Sequence, residues 1–287
     1  MKQLAHRPNL LWGGAIVAFL ALLALVAPHL AALDAYTRSG SLVAPPSRLH
    51  WLGTDEQGYD TLARVLAGSR LAFIVGPGVA CLSVGLGTVL GAIAGYWGGY
   101  WDRGITLVAD ALMALPGILF ALLILFVSDS PGIGTVIVAL SITGWAGHAR
   151  LVRVLVASAR ERDFAIAASL LGASRLRVLL LYVMPEIVGP LTVQLTFAVA
   201  AGVLGEASLS FLGLGPQNAV SWGAMLEQGA VLFLRSPAIV LSAGGALFAL
   251  LLGLNLLGDG LRDLLDPRLG PVQPHKLTRN ERLGNAA

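Results

Sequence analysis

Residues 161–185 read ERDFAIAASLLGASRLRVLLLYVMP, an amphipathic, arginine-flanked stretch between two apolar runs of membrane-spanning length. A loop joining two spans needs only to turn round, so a loop with its own helical pattern asks for an explanation. Phe164, Ala167, Ala168 and Leu171 recur at helical spacing, and Gly172-Ala173-Ser174 supplies a stop. The pattern predicts a short helix followed by a turn. Arg160, Arg162, Arg175 and Arg177 bracket it. A cytoplasmic helix with small residues that permit close approach suits a cleft in another protein. It equally suits the headgroup layer of an anionic membrane.

Working outward, the chain reads as an all-α polytopic membrane protein. Its residues are 56% hydrophobic and 12% charged, against roughly 25% charged in soluble domains, and its mean hydropathy is +0.78. Runs of about 20 apolar residues cross a hydrocarbon core as helix. Six such spans are predicted: Leu10–Leu30, Leu71–Tyr96, Ile105–Val127, Ile133–Leu151, Leu179–Leu204 and Ala238–Leu257. Lys2, His6 and Arg7 precede the first as they would a secretory leader. Its apolar stretch is longer than a leader's, and Ala-Pro-His follows it, so a retained helix is expected. Of the 19 basic residues, only Arg38, Arg48, Arg64, Arg70 and Arg235 fall outside if the N-terminus is inside. The excess of positive charge on one side therefore orients the chain N-in and C-in.

Several chemistries are excluded by what the sequence lacks. The lone cysteine, Cys81, allows no intramolecular disulfide. His6, His29, His50, His148 and His275 are scattered, with no His-Glu-x-x-His pattern, and no predicted span has a histidine near its middle to serve an intramembrane hydrolase. Neither lysine, Lys2 or Lys276, lies in a glycine-rich phosphate loop, so the chain is not its own P-loop ATPase. A net charge of +3, dispersed along the chain, offers nothing for nucleic acid. No cofactor or metal site is expected.

Two external segments are long enough to have a role. Residues 31–70 include HWLGTDEQGYD and end in a short helix over Thr61–Arg70. Residues 206–237 include SFLGLGPQ and SWGAMLEQGAVLFLR, the latter with helical spacing at Trp222, Met225, Leu226 and Leu232. Aromatic anchoring at the interface is the simplest role for individual residues there, while each segment as a unit is expected to gate or to dock. Ionisable groups at membrane depth are scarce. Asp110 is either a gating carboxylate or, the favoured expectation, an interfacial partner of Arg103 two turns earlier on one helix face. Glu206 is either a pathway contact or a solvated helix end. With Ser210, Phe211 and Gly213 these two form the candidate pathway and gate residues.

The central loop also resembles a known family. Ala167-Ala168, three residues, Gly172, then Met184-Pro185 follows the cytoplasmic loop of bacterial ABC-importer permeases, with Ile166 where that family usually has glutamate. HWLGTDEQGYD at 50–60 resembles a His-x-x-Gly-Thr-Asp-x-x-Gly-Arg-Asp signature of one branch, with Tyr59 in the arginine position. AGYWGGYWDR at 94–103, GEASLSFLGLG at 205–215 and NLLGDGLRDLLDPRLG at 255–270 are similar to the same branch. The likeness is to the second membrane subunit of dipeptide, oligopeptide and nickel importers.

That resemblance implies a type I importer fold in a bacterial inner membrane. It implies a heterodimer with a homologous permease, two cytoplasmic ATPase subunits carrying ATP and Mg, and an external substrate-binding protein. It implies ATPase coupling through Arg162, Asp163, Phe164, Ala167, Ala168, Leu171, Gly172, Ala173 and Ser174. Residues 1–70 would form an N-terminal helix and external segment, and 71–270 the permease core, with its coupling loop at 152–178. Residues 271–287 would be a cytoplasmic tail. Peptides are the expected cargo, with nickel or a metal chelate as the alternative. A secondary transporter is the competing class, then a membrane enzyme or a scaffold. It would call for inverted repeats and midplane charges, and neither stands out.

Overall fold

The computed structural model describes residues 8–26 and 34–265. The expected helix at Thr61–Arg70 and the second span form one 37-residue rod, α2 (Thr61–Trp97). Its start is fixed by Asp60, whose side chain accepts from the Ala63 N–H at 2.8 Å, as an N-cap should. A division at residue 70 therefore falls inside a continuous helix. Gly98 and Gly99, at φ +65° and +57°, end the rod and turn the chain back. The first span, α1 (Pro8–Val26), precedes it. The expected span end at Leu30, together with Lys2, His6 and Arg7, lies outside the described residues.

The third predicted span is not one helix. It is α3 (Gly99–Met113) and α4 (Gly117–Val127), bent by 78° about Leu115-Pro116. Proline disfavours helix in the residue before it, which explains the break. The 11 residues of α4 reach about 16 Å at 1.5 Å per residue, half a hydrocarbon core. Counting this pair as one span, the described residues hold six, and five of their helices are long and apolar enough to cross alone.

Helix α5 (Ile133–Arg160) extends nine residues past the expected Leu151. Arg150 and Arg153 thus lie in the helix rather than in a loop. Then come α6 (Asp163–Leu170), α7 (Arg175–Val178) and a π turn over Leu179–Val183. Helix α8 (Met184–Phe211), α9 (Trp222–Val231) and α10 (Pro237–Leu265) complete the described residues. The π turn has a cause in the Met184-Pro185 pair. Proline lacks an N–H and crowds the carbonyl four residues back, and the widened turn instead carries a Met184 N–H to Leu179 carbonyl bond.

Packing is densest where α2 meets α5. Gly87, Gly91 and Gly95 fall four apart on one face of α2, so backbones approach without intervening side chains. A Cβ on Gly87 would stand 2.6 Å from the His148 Cβ, and one on Gly91 2.8 Å from the Val152 Cβ. Helix α10 meets α1 in the same way, where a Cβ on Gly260 would lie 2.6 Å from the Leu10 backbone. That contact places the start of α1 beside the end of α10. The Arg160 Nη1 donates to the Tyr96 carbonyl at 2.7 Å, joining the ends of α2 and α5 beside α6. A Cβ on Gly189, early in α8, would lie 3.7 Å from the Leu265 Cβ, which brings the end of α10 to this same end of the bundle. Both ends of the described chain therefore share the side of the central loop.

Candidate functional site

The central stretch forms the predicted helix and turn, with a shorter helix than the full 163–174 segment. Helix α6 stops at Leu170, and Gly172 takes φ +86°. The Ala173 N–H reaches the Ala168 carbonyl at 3.1 Å, and the Gly172 N–H reaches the Ser169 carbonyl at 3.0 Å. This crossed pair is a Schellman stop, which favours glycine at the left-handed position. Ser174 then caps α7, its Oγ accepting from the Arg177 N–H at 3.4 Å. Gly172, Ala173 and Ser174 thus end one helix and start the next.

The face α6 offers to another molecule is defined by what its own chain leaves uncovered. Ala165 and Ala168 are buried against the ends of α5 and α7, so Ala168 faces the chain's own core. Phe164, Ile166 and Ala167 are exposed, and Leu170 and Leu171 are 82% and 89% exposed. Arg162 pairs with Glu186 in the first turn of α8. Asp163, exposed in the first turn of α6, sits where a carboxylate favours the helix dipole.

The charges inside α5 have partners that local spacing did not reveal. Asp110 pairs with Arg150 and not with Arg103. Asp102 accepts from Arg153 Nη2 at 2.7 Å and from Thr106 Oγ1 at 3.2 Å. These two ion pairs hold α3 along α5. His148, expected near a span end, lies near the middle of the longer α5. There it meets Gln194 of α8, with Nδ1 3.0 Å from Nε2.

At the opposite end, Glu206 is a buried side chain and not a solvated terminus. It is 3% exposed, and its Oε1 accepts from Ser210 Oγ at 2.6 Å. Phe211 is exposed, and Gly213 at φ +80° closes a second Schellman turn, with the Leu214 N–H on the Leu209 carbonyl at 3.0 Å. Helix α9 is docked on α2. Trp222 is buried, its Nε1 donates to the Val65 carbonyl at 2.8 Å, and a Cβ on Gly68 would meet its ring.

The HWLGTDEQGYD stretch is a folded cap on the start of α2. His50 Nδ1 lies 2.7 Å from Asp60 Oδ2, and Thr54 Oγ1 donates to the Ser41 carbonyl and accepts from the Ala44 N–H. Asp55 receives the Gln57 and Tyr59 N–H groups and pairs with Arg64. The Tyr59 ring lies 5.4 Å and 5.2 Å from the Arg38 and Arg64 guanidinium carbons, within cation–π range.

Toward the C-terminus, Asp259, Arg262 and Asp263 form no ion pair among the described residues. Asp266, Arg268 and the tail 271–287 lie outside them.

The described residues form a helical bundle with helices long and apolar enough to cross a membrane, and the short helix α6 lies on the side of both described ends, an arrangement that a membrane transport subunit can have. Residues 87–271 match the family described as "Binding-protein-dependent transport system inner membrane component", and the chain belongs to that family. It is 36% identical to the oligopeptide transport system permease protein OppC of Bacillus subtilis (strain 168) over 88% of this chain and 84% of the relative. It is 36% identical to the dipeptide transport system permease protein DppC of the same strain, over 88% and 80%. With the glutathione transport system permease protein GsiD of Escherichia coli O6:K15:H31 (strain 536 / UPEC) the identity is 38%, over 88% and 84%.

Proposed function

We infer that this chain is one of two homologous membrane subunits of an ATP-driven importer that moves peptides across a bacterial inner membrane. The observation that carries the reading is α6, an eight-residue helix two residues beyond the 28-residue α5. Its apolar outer face is left uncovered by its own chain. Two ATPase subunits, holding ATP and Mg, supply the energy that a chain without a phosphate-loop lysine does not. An external binding protein delivers the cargo. The relatives' names favour peptides over nickel: oligopeptide, dipeptide and glutathione, itself a tripeptide.

In this reading, closure of the ATPase pair pushes on Arg162–Ser174 and the motion passes into α5 and α8. The far ends of these spans then part around Glu206, Ser210, Phe211 and Gly213, and admit the peptide. Asp110, held by Arg150, contributes to the position of α3 rather than to the opening itself.

Gly172→Arg tests the coupling. A Cβ at Gly172 meets nothing within 4 Å, so the constraint is the φ of +86°, which costs an L-residue about 1–2 kcal/mol. The variant is expected to insert normally and to lose peptide uptake while the assembled ATPase still turns over. Uptake at the native rate would rule out docking through this turn.

A further inference from the structure

A cleft of about 340 Å³ opens between the ends of α2, α5 and α7, beside α6. Arg160 and Arg175 line it together with Tyr96, Trp97, Ile166 and Ser169, and no carboxylate does. Arg160 spends one nitrogen on the Tyr96 carbonyl, and another lies 3.8 Å from a Glu161 oxygen. Arg175 forms no ion pair among the described residues. The cleft is therefore cationic: Arg175 has no carboxylate partner among the described residues, and Ile166 adds no charge to its wall.

A second, apolar groove of about 650 Å³ runs between α2, α3 and α5, with Leu90, Trp101 and Trp145 in its wall. Leu90 and Trp97 are seven residues apart on α2, hence on one face and about 10 Å apart along the axis. The cationic cleft and the apolar groove follow each other along that face, the cleft at the helix end and the groove deeper in the span. Tyr and Trp collect at the membrane–water boundary, and basic pockets at the cytoplasmic ends of spans take anionic headgroups. An amphiphile fits this sequence of surfaces. A protein side chain would reach the cleft and leave the groove empty.

We propose that the cleft and groove together bind one anionic phospholipid of the cytoplasmic leaflet. Its phosphodiester rests against Arg160 and Arg175, and its acyl chains lie along the groove past Trp101. A lipid there packs beside α6, against Ile166 and Ser169.

The test uses the full chain, purified with the subunits that accompany it, in phosphatidylcholine nanodiscs. Brominated phosphatidylglycerol or brominated phosphatidylcholine is added at equal mole fractions, and quenching of tryptophan fluorescence is read. Half-maximal quenching is expected at a several-fold lower fraction of the anionic lipid. Arg175→Gln should raise that fraction about fivefold, the contribution of one arginine near a charged leaflet, while Arg175→Lys should largely restore it. Arg175 is exposed, so its substitution leaves the packing intact. Superimposable curves for the two lipids, or an Arg175→Gln variant that keeps the preference, would overturn the proposal.

Discussion

Replacing Gly91 by alanine probes the seam on which the bundle depends, and Gly85 on the same helix supplies its control. A Cβ on Gly91 would stand 2.8 Å from the Val152 Cβ and 3.1 Å from the Ala149 carbonyl carbon, and closer still to the Ala149 oxygen. These are backbone atoms or the first carbon of a branched side chain, so no rotamer change relieves the overlap and α5 must retreat as a unit. A Cβ on Gly85 would meet nothing within 4 Å. Both changes gain the same helix propensity, about 1 kcal/mol, so their difference isolates the steric cost of overpacking, about 1–3 kcal/mol. Thermal unfolding of the two purified variants in one detergent measures it. Gly85→Ala should match or exceed the native midpoint, and Gly91→Ala should fall below Gly85→Ala. Equal midpoints would refute the claim that backbone approach sets the α2–α5 distance.

Other outcomes follow from the same geometry. Asp55→Ala leaves Arg64 without its carboxylate, its side chain only 11% exposed, and should destabilise the cap by about 3–5 kcal/mol, as breaking a buried pair does; adding Arg64→Met should recover only the part due to the stranded guanidinium, because the Gln57 and Tyr59 N–H groups still lack their acceptor. Asp110 and Arg150 are each about half exposed, so Asp110→Asn should cost no more than about 1 kcal/mol and the charge-swapped pair should restore stability. Glu206→Gln should retain the fold, since an amide oxygen can still accept from Ser210, and should slow uptake if this end opens; unchanged uptake kinetics would remove Glu206 from the pathway.

The two helix stops were legible because their chemistry is local. A glycine with the right neighbours ends a helix wherever it sits, as Gly172 and Gly213 do, whereas the role of Ser174 in starting α7 shows only in the structure. The 50–60 motif was visible as a pattern, but not as a cap on α2, because His50, Thr54 and Asp55 acquire their meaning only from Asp60, Ser41 and Arg64. The break at Pro116 was present in the sequence but was outweighed by the apolar count across Ile105–Val127. The length of α5 was hidden for the opposite reason. Arg150 and Arg153 look like the polar end of a span until Asp110 and Asp102, 40 and 51 residues away, are seen to neutralise them. Once α5 is lengthened, His148 moves from a helix end to mid-span, and a polar pair with Gln194 appears that no local spacing announces.

The glycine face of α2 has a mechanical consequence. Interlocking side-chain ridges work like gear teeth, and a helix must climb over them to shift. Gly87, Gly91 and Gly95 present few teeth on this face, which lowers the barrier to a pivot of α5 against α2. Helix α5 has 28 residues, hence a length of about 42 Å. A pivot of about ten degrees about one end would sweep the other through about 7 Å, more than the width of an extended polypeptide's spacing between strands in a sheet. Were α5 to pivot in this way, a small angular input beside α6 would be amplified geometrically into an aperture of molecular size.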